Sequence, residues 1–414
     1  MSPNSNGDRL VGRFTESALL KRAKEVVAEK SAASEIFDEE AEKSFPRFHK
    51  SELVLGRVLG RGGFCVVNEI QNFKLEKNSA LDTNKKQDGL IDEEEDEFGE
   101  LRYDGGILVQ DRNFMARRCL RQKKHARYAI KTLSDECLRD PERFVGGVID
   151  LAVESRFLSV IKHPNIIKMR GVSVGEPYDV GFFVVLDRLY DTLTLKVARW
   201  KKDAGKSKGL GKLMDRKGKK KTKLWTDRLI VVYDLSTALE YLHTQRIMYR
   251  DLKPDNIGFD VRGDVKIFDF GLAREFPKDD QMTNGTFQMS GKTGSLRYMA
   301  PEVAKEQPYN ETVDVYSLAV MAWQIFEMDT PFKGYSIAMH NNLVIEKGGR
   351  PRVNPKWGGP LCDWLKQAWS DDISKRPSTK QSTKVLRDEI NKLQEDIEDF
   401  SQIDASSRTA NSAT

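Results

Sequence analysis

Tyr249-Arg250-Asp251-Leu252-Lys253-Pro254-Asp255-Asn256 and, thirteen residues after its Asn, Asp269-Phe270-Gly271 decide how this chain reads. The residues between them alternate as a β-hairpin would, Ile257 to Phe259 and then Val265 to Phe268. An Asp five residues before an Asn, then a second Asp beyond a hairpin, supplies three oxygen-bearing groups that can converge. Hard oxygen ligands suit magnesium, and a carboxylate can receive the proton of a hydroxyl. Asp and Asn acting only as turn formers would not account for this order.

Working outward toward the N-terminus, Gly60-Arg61-Gly62-Gly63-Phe64-Cys65-Val66-Val67 separates two short β-rich runs, Leu53 to Gly60 and Val66 to Ile70. Glycines there permit either a tight turn alone or a backbone that approaches a polyphosphate with its amides. The strand Tyr128-Ala129-Ile130-Lys131 puts Ala129 and Lys131 on one face. Lys131 either lies at an edge in water or, on a buried strand, needs an anion such as a phosphate or carboxylate.

In this order the motifs resemble the eukaryotic protein kinase family, over about Leu53 to Leu386. The resemblance implies a two-lobed α+β fold with a small β-rich lobe and a larger helical one. It also implies ATP-dependent transfer of a phosphoryl group to serine or threonine hydroxyls of proteins. Gly60, Gly62 and Val67 would lie over ATP, with Val67 and Ala129 about the adenine. Lys131 would hold the phosphates, paired with Glu154 from the stretch Glu154-x3-Leu158-x4-His163-Pro164-Asn165-Ile166. Leu186 would guard the rear of the pocket, followed by the hinge Asp187-Arg188-Leu189. Asp251 would be the catalytic base, Lys253 a contact to the transferred phosphate, and Asn256 and Asp269 the Mg2+ ligands.

The resemblance extends beyond the chemistry. Gly294-Ser295-Leu296-Arg297-Tyr298-Met299-Ala300-Pro301-Glu302 is similar to the end of an activation segment, and Arg376 would pair with Glu302. Asp314-Val315-Tyr316-Ser317 is similar to the start of a buried central helix. Lys253, two residues after the base, is the serine/threonine pattern, and the region around Trp369 to Ser378 resembles the tyrosine-kinase-like group. Arg250, directly before the base, implies activation by phosphorylation between Asp269 and Glu302, with Thr293 favoured ahead of Ser290. Cys65 replaces the third glycine, either as a small side chain tolerated there, the favoured reading, or as a thiol that Lys131 turns toward the reactive thiolate. Gly258 falls where a bulky apolar residue is usual beneath adenine. Those departures motivate the alternative of a pseudokinase scaffold or nucleotide-binding signalling module.

Composition agrees with one such enzyme. The 414 residues are 39% hydrophobic, enough for a sizeable core, and 32% charged. Val315 to Phe326, the longest apolar stretch, is too short to span a bilayer. Four cysteines without paired spacing read as free thiols, which places the chain in the cytoplasm or the nucleus. Residues 1–45 read as a tail with little to bury, 46–388 as the kinase domain and 389–414 as a helix end and tail. Two insertions interrupt the domain, at about 73–125 and 199–223. The first contains seven acids in the nine residues Asp92 to Glu100. The second, Arg199 to Lys223, holds ten Lys and two Arg against two Asp and reads as a solvated loop. An acidic partner would suit it; nucleic acid would not, because interleaved stacking aromatics are missing.

Overall fold

The computed structural model describes residues 18–32, 34–75, 112–121, 125–206, 219–276 and 278–410. The acidic run Asp92 to Glu100 lies outside the described residues. Two compact units divide the chain: one runs through Tyr190 and adds Asp260–Gly263 and Phe268–Gly271, and the other holds the remainder. The first is built on a sheet and the second is mostly helical, so the chain is α+β.

The first unit contains helices α1 (Ala18–Ala32), α2 (Glu39–Lys43), α3 (Arg112–Arg117), α4 (Asp135–Arg139) and α5 (Pro141–Val160). Its strands are β1 (Arg47–Phe48), β2 (Leu53–Arg61), β3 (Cys65–Phe73), β4 (Tyr128–Leu133), β5 (Met169–Ser173) and β6 (Phe183–Asp187). They form one sheet in the order β1-β5-β6-β4-β3-β2, antiparallel except where β1 joins β5. Strand alternation sorts the residues. Ile70, Tyr128, Ile130, Phe183 and Val185 share one face and build a core with Phe48, Phe73, Met115 and Cys119. The opposite face carries Val67, Ala129, Lys131 and Leu186, as the register pairs Val67↔Lys131 and Ala129↔Leu186 require.

Two stretches expected to lie outside the core contribute to it. Met115 and Cys119, from the end of the first insertion, are buried, and the Cys119 thiol donates to the Ile70 carbonyl at 3.4 Å. Arg112 is buried in an ion pair with Glu52, whose carboxylate also accepts from the His49 N–H at 2.8 Å. The N-terminal stretch is likewise not merely a tail: α1 buries Leu20, Ala23 and Val27 and packs against α5.

The second unit contains β7 (Asp191–Thr192), β8 (Ile247–Met248), β9 (Ile257–Phe259), β10 (Val265–Ile267) and β11 (Arg274–Glu275). Its helices are α6 (Leu193–Lys206), α7 (Lys219–Thr244), α8 (Pro301–Ala304), α9 (Thr312–Glu327), α10 (Ile337–His340), α11 (Gly359–Ala368) and α12 (Thr379–Ala410). The central helix α9 is buried on nearly every side from Thr312 to Phe326. Helix α12 buries Leu386 and Ile390 and packs on α7, so its apolar stripe serves its own unit. No helix among the described residues is long and apolar enough to cross a membrane.

The basic stretch is less of a loop than its charge suggests. Helix α6 continues through Lys206 and α7 begins at Lys219, leaving only 207–218 outside the described residues. Lys and Arg are good helix formers, and cations at the end of α6 favour its negative dipole end. Trp200 is buried, and Lys201 pairs with Asp329 at 3.2 Å.

Candidate active site

In the first unit, β4 places Lys131 on the sheet face that α5 covers. The Lys131 ammonium lies 2.5 Å from Glu154 Oε2 and 3.0 Å from Asp269 Oδ1. The Glu154 side chain is only 1% exposed, so an unpaired charge there would be strongly disfavoured. Burial alone would lower the pKa of Lys131; the carboxylates of Glu154 and Asp269 outweigh it and hold the ammonium well above the usual lysine range. Asp269 has a positive φ of 69°, which turns the chain between Phe268 and the fully buried Phe270. That strained backbone puts its carboxylate on Lys131.

Val67, Ala129 and Leu186 share the Lys131 face, and Gly60 is the register partner of Val67. None of Gly60, Gly62 and Gly63 has a positive φ, so the backbone at this tip does not require glycine. A Cβ at Gly60 or Gly63 would meet nothing within 4 Å. What the glycines leave is open space beside the strand. Asp187 forms a two-pronged ion pair with Arg170 at 2.6 and 2.8 Å, and Leu189 is half-buried.

Of the two readings of Cys65, the structure favours the inert small side chain. It is the first residue of β3, opposite Leu133, and is buried rather than at an exposed tip. Burial pushes its thiol up to about 12 despite the nearby Lys131, so the thiolate is disfavoured.

In the second unit, Asp251 is buried and its carboxylate is held from three directions. Lys253 Nζ lies 2.6 Å from Oδ2, Asn256 Nδ2 donates to Oδ2 at 2.9 Å, and the Ser295 N–H donates to Oδ1 at 3.1 Å. Asn256 Nδ2 also donates to the Asp251 carbonyl at 3.0 Å. With its amide nitrogen committed to Asp251, the carbonyl oxygen of Asn256 is the end that could hold a cation. An amide oxygen of this kind, like the Asp269 carboxylate of the first unit, is a hard donor of the type that magnesium takes. Gly294, at φ +94°, is required here: a Cβ would come within 2.5 Å of the Arg250 carbonyl and 3.3 Å of Asp251 Oδ1.

The loop that carries Asp251 is anchored to α9. Asp314, fully buried, accepts from the Tyr249 N–H at 2.8 Å and the Arg250 N–H at 2.7 Å, and contacts His243 Nε2 at 2.9 Å. These bonds hold Arg250 in a positive-φ conformation, 67°, immediately before Asp251. The Arg250 guanidinium donates to the Leu272 carbonyl at 2.7 Å, to Ser290 Oγ at 3.1 Å and to Tyr309 Oη at 3.0 Å. None of these three partners is a carboxylate. It is Ser290, not the favoured Thr293, whose hydroxyl lies on Arg250; Thr293 Oγ1 donates within the segment, to the Ser290 carbonyl at 3.1 Å. Sequence spacing alone could not rank these two hydroxyls. Farther off, Arg376 meets Glu302 through two hydrogen bonds of 2.6 and 2.8 Å.

Comparison with known proteins agrees with this geometry. Residues 115–386, more than half of the chain, match the model of the family described as "Protein kinase domain". That match begins after the glycine-bearing hairpin, which the β3–β4 pairing joins to the same sheet. The chain is 27% identical to the serine/threonine-protein kinase STY17 of Arabidopsis thaliana, over 62% of this chain and 40% of that protein. It is 34% identical to the serine/threonine/tyrosine-protein kinase HT1 of the same plant, over 38% of this chain and 39% of that protein. It is 30% identical to the dual specificity protein kinase pyk3 of Dictyostelium discoideum, over 60% of this chain and 16% of that protein. The chain thus spans less than half of the length of each of these relatives. With the family matched over residues 115–386, this chain belongs to the protein kinase domain family.

Proposed function

We propose that the chain transfers the γ-phosphoryl group of ATP to serine or threonine hydroxyls of protein substrates. The observation that carries this reading is the Asp251 carboxylate, buried and fixed by Lys253, Asn256 and the Ser295 N–H. A carboxylate so held can accept a hydroxyl proton while the lysine beside it faces the anionic phosphoryl group. The hydroxyl oxygen bonds to the γ-phosphorus as the bond to the ADP oxygen breaks. The hydroxyl proton passes to Asp251 and then to solvent. Lys131, charged and fixed by Glu154, would bind the α- and β-phosphates. Gly60, Gly62, Val67, Ala129, Leu186 and the hinge Asp187 to Leu189 would seat the nucleotide. Magnesium held by Asn256 and Asp269 would neutralise phosphate charge when bound.

Catalysis of this kind is positioning and electrostatics, and both need rigid side chains. The pairs about Lys131 and Asp251 provide that rigidity. Four free cysteines fit a reducing compartment, cytoplasmic or nuclear. An acidic protein remains the partner that the basic ends of α6 and α7 would suit. The names of HT1 and pyk3 raise tyrosine as a second acceptor for this chain.

The test is incubation of the full chain with Mg-ATP and peptide mixtures containing Ser, Thr or Tyr as the only hydroxyl, read by mass spectrometry. Phosphate on the Ser and Thr arms, lost in Lys131→Met and Asp269→Asn, supports the reading. Phosphate on the Tyr arm as well would make the enzyme dual-specific. Folded wild-type protein that phosphorylates none of the three would leave the pseudokinase scaffold.

A further inference from the structure

Helix α5 carries Glu154 and is buried on more sides than a helix lying on a sheet should be. Leu151, Ala152, Val153, Glu154 and Ser155 are consecutive, and none is more than 5% exposed. Successive helix residues are about 100° apart, so five in a row encircle the helix. A helix covered only by a sheet would leave part of that circle in water. Something else must cover the outer side.

The cover is the N-terminal segment. Helix α1 packs on α5 and buries Leu20, Ala23 and Val27, spaced as one helical stripe. After α1, the Phe37 ring meets Phe157 of α5 edge-on at 5.0 Å between centroids. Arg156 lies over the Phe37 ring at 5.9 Å and pairs with Glu42 of α2 at 3.6 Å. Lys24 of α1 lies over the Tyr178 ring at 5.1 Å, tying the outer side of α1 to the unit. The contacts on Arg156 and Phe157 fall two and three residues beyond Glu154, on the same helical turn.

We propose that Ala18 to Lys43 is a positioning element that holds α5 where Glu154 reaches Lys131, with Val27 and Phe37 as positioning residues. This rests on the kinase reading above. The physical link is that α5 moves as a rigid rod: a shift at Phe157 displaces Glu154 by a similar distance. The 2.5 Å contact to Lys131 tolerates little displacement. With its cover removed, α5 would expose apolar residues on its outer side, and states in which Glu154 has left Lys131 would gain population.

The test uses the full chain with Val27→Asp, Phe37→Ala, Phe37→Tyr and, as a control on the exposed side of α1, Arg22→Ser. Three quantities are read: kcat and KM for ATP, hydrogen–deuterium exchange along α5, and labelling of Lys131 by an amine-reactive reagent. Val27→Asp and Phe37→Ala are expected to lower kcat about tenfold, the effect of leaving roughly a tenth of molecules competent. Exchange in Leu151 to Phe157 and labelling of Lys131 should both rise severalfold, while exchange in α7 and α9 stays unchanged. Phe37→Tyr keeps the ring and should restore all three quantities; Arg22→Ser should match wild type. Should Val27→Asp not fold, Phe37→Ala decides alone. Phe37→Ala with kcat, α5 exchange and Lys131 labelling all within twofold of wild type would overturn the proposal. If the wild type transfers no phosphate, the kinase reading fails by itself, and exchange and Lys131 labelling still decide whether this segment positions Glu154.

Discussion

Replacing Glu302 by Gln removes one charge from a deeply buried ion pair of the second unit and leaves the shape of the site unchanged. The Arg376 side chain is 0% and that of Glu302 5% exposed, and their two bonds match a guanidinium fork to both carboxylate oxygens. A carboxamide can satisfy one prong only and turns an NH2 toward the other. Breaking a buried pair from one side costs about 3–5 kcal/mol, because the remaining charge stays buried. Arg376 retains its bond to the Ser370 carbonyl at 2.8 Å and its stacking over Tyr316, which argues for the lower end, about 3 kcal/mol. For a unit of this size, melting shifts by roughly 2–4 °C per kcal/mol, so Glu302→Gln should melt about 6–12 °C lower. The assay is thermal and urea unfolding of the full chain followed by circular dichroism. The double variant Glu302→Met/Arg376→Met, which removes both charges, should recover much of the loss. Glu302→Gln melting within 2 °C of wild type would refute the reasoning, since the pair would then contribute no more than a surface contact.

Three further expectations follow from particular groups. A phosphate on Ser290 would meet Arg250, so Ser290→Ala or phosphatase treatment should lower turnover about tenfold, the worth of one charge-assisted hydrogen bond; unchanged turnover in both would remove the switch. Burial, with Asp264 adding to it and Lys266 opposing it, raises the carboxyl of Asp234 from 3.8 to about 6. The folded state therefore binds this proton more tightly than the unfolded state. Its contribution to stability is present below about pH 4 and is lost as pH rises through about 6. Asp234→Asn should abolish that slope and raise the melting temperature at neutral pH, whereas a slope that persists in the variant would assign it elsewhere. Cys65 should resist a dilute alkylating reagent at neutral pH in the folded chain and react once the chain is unfolded; prompt native labelling would contradict its burial.

Local patterns foretold the parts of this structure whose partners are close or whose geometry is periodic. Alternation in Tyr128 to Lys131 placed Ala129 and Lys131 on one face, and the register confirms it. The apolar run after Asp314 became the buried helix α9; the pairing of Glu302 with Arg376, 74 residues apart, came from the family resemblance. Most of the misreadings have a common cause. Leu20, Ala23 and Val27 make a thin stripe in a charged helix, and what they cover is formed more than a hundred residues later by α5. Arg112 is buried against Glu52, sixty residues earlier, and no periodicity predicts a buried arginine. Charge density suggested that Arg199 to Lys223 is a loop, but a lysine-rich sequence with a buried Trp200 can continue a helix. The reactive reading of Cys65 placed it in an open loop near Lys131, whereas it begins β3 and is buried. For the N-terminal stripe, Arg112 and Cys65 the deciding contact is remote along the chain.

The central claim is that Asp251 takes the hydroxyl proton during phosphoryl transfer, and Asp251→Asn tests it most directly. Asparagine keeps one oxygen, which can face Lys253 and Asn256 as Oδ2 does while its NH2 turns toward the Ser295 N–H, yet it cannot accept the proton. The measurement is steady-state peptide phosphorylation by the full-length variant, alongside its melting temperature and its binding of a fluorescent ATP analogue. The account predicts near wild-type melting and nucleotide binding with turnover lower by about 10²–10⁴-fold, the usual contribution of a positioned general base. A folded, nucleotide-binding Asp251→Asn enzyme that turns over within a few-fold of wild type would contradict it.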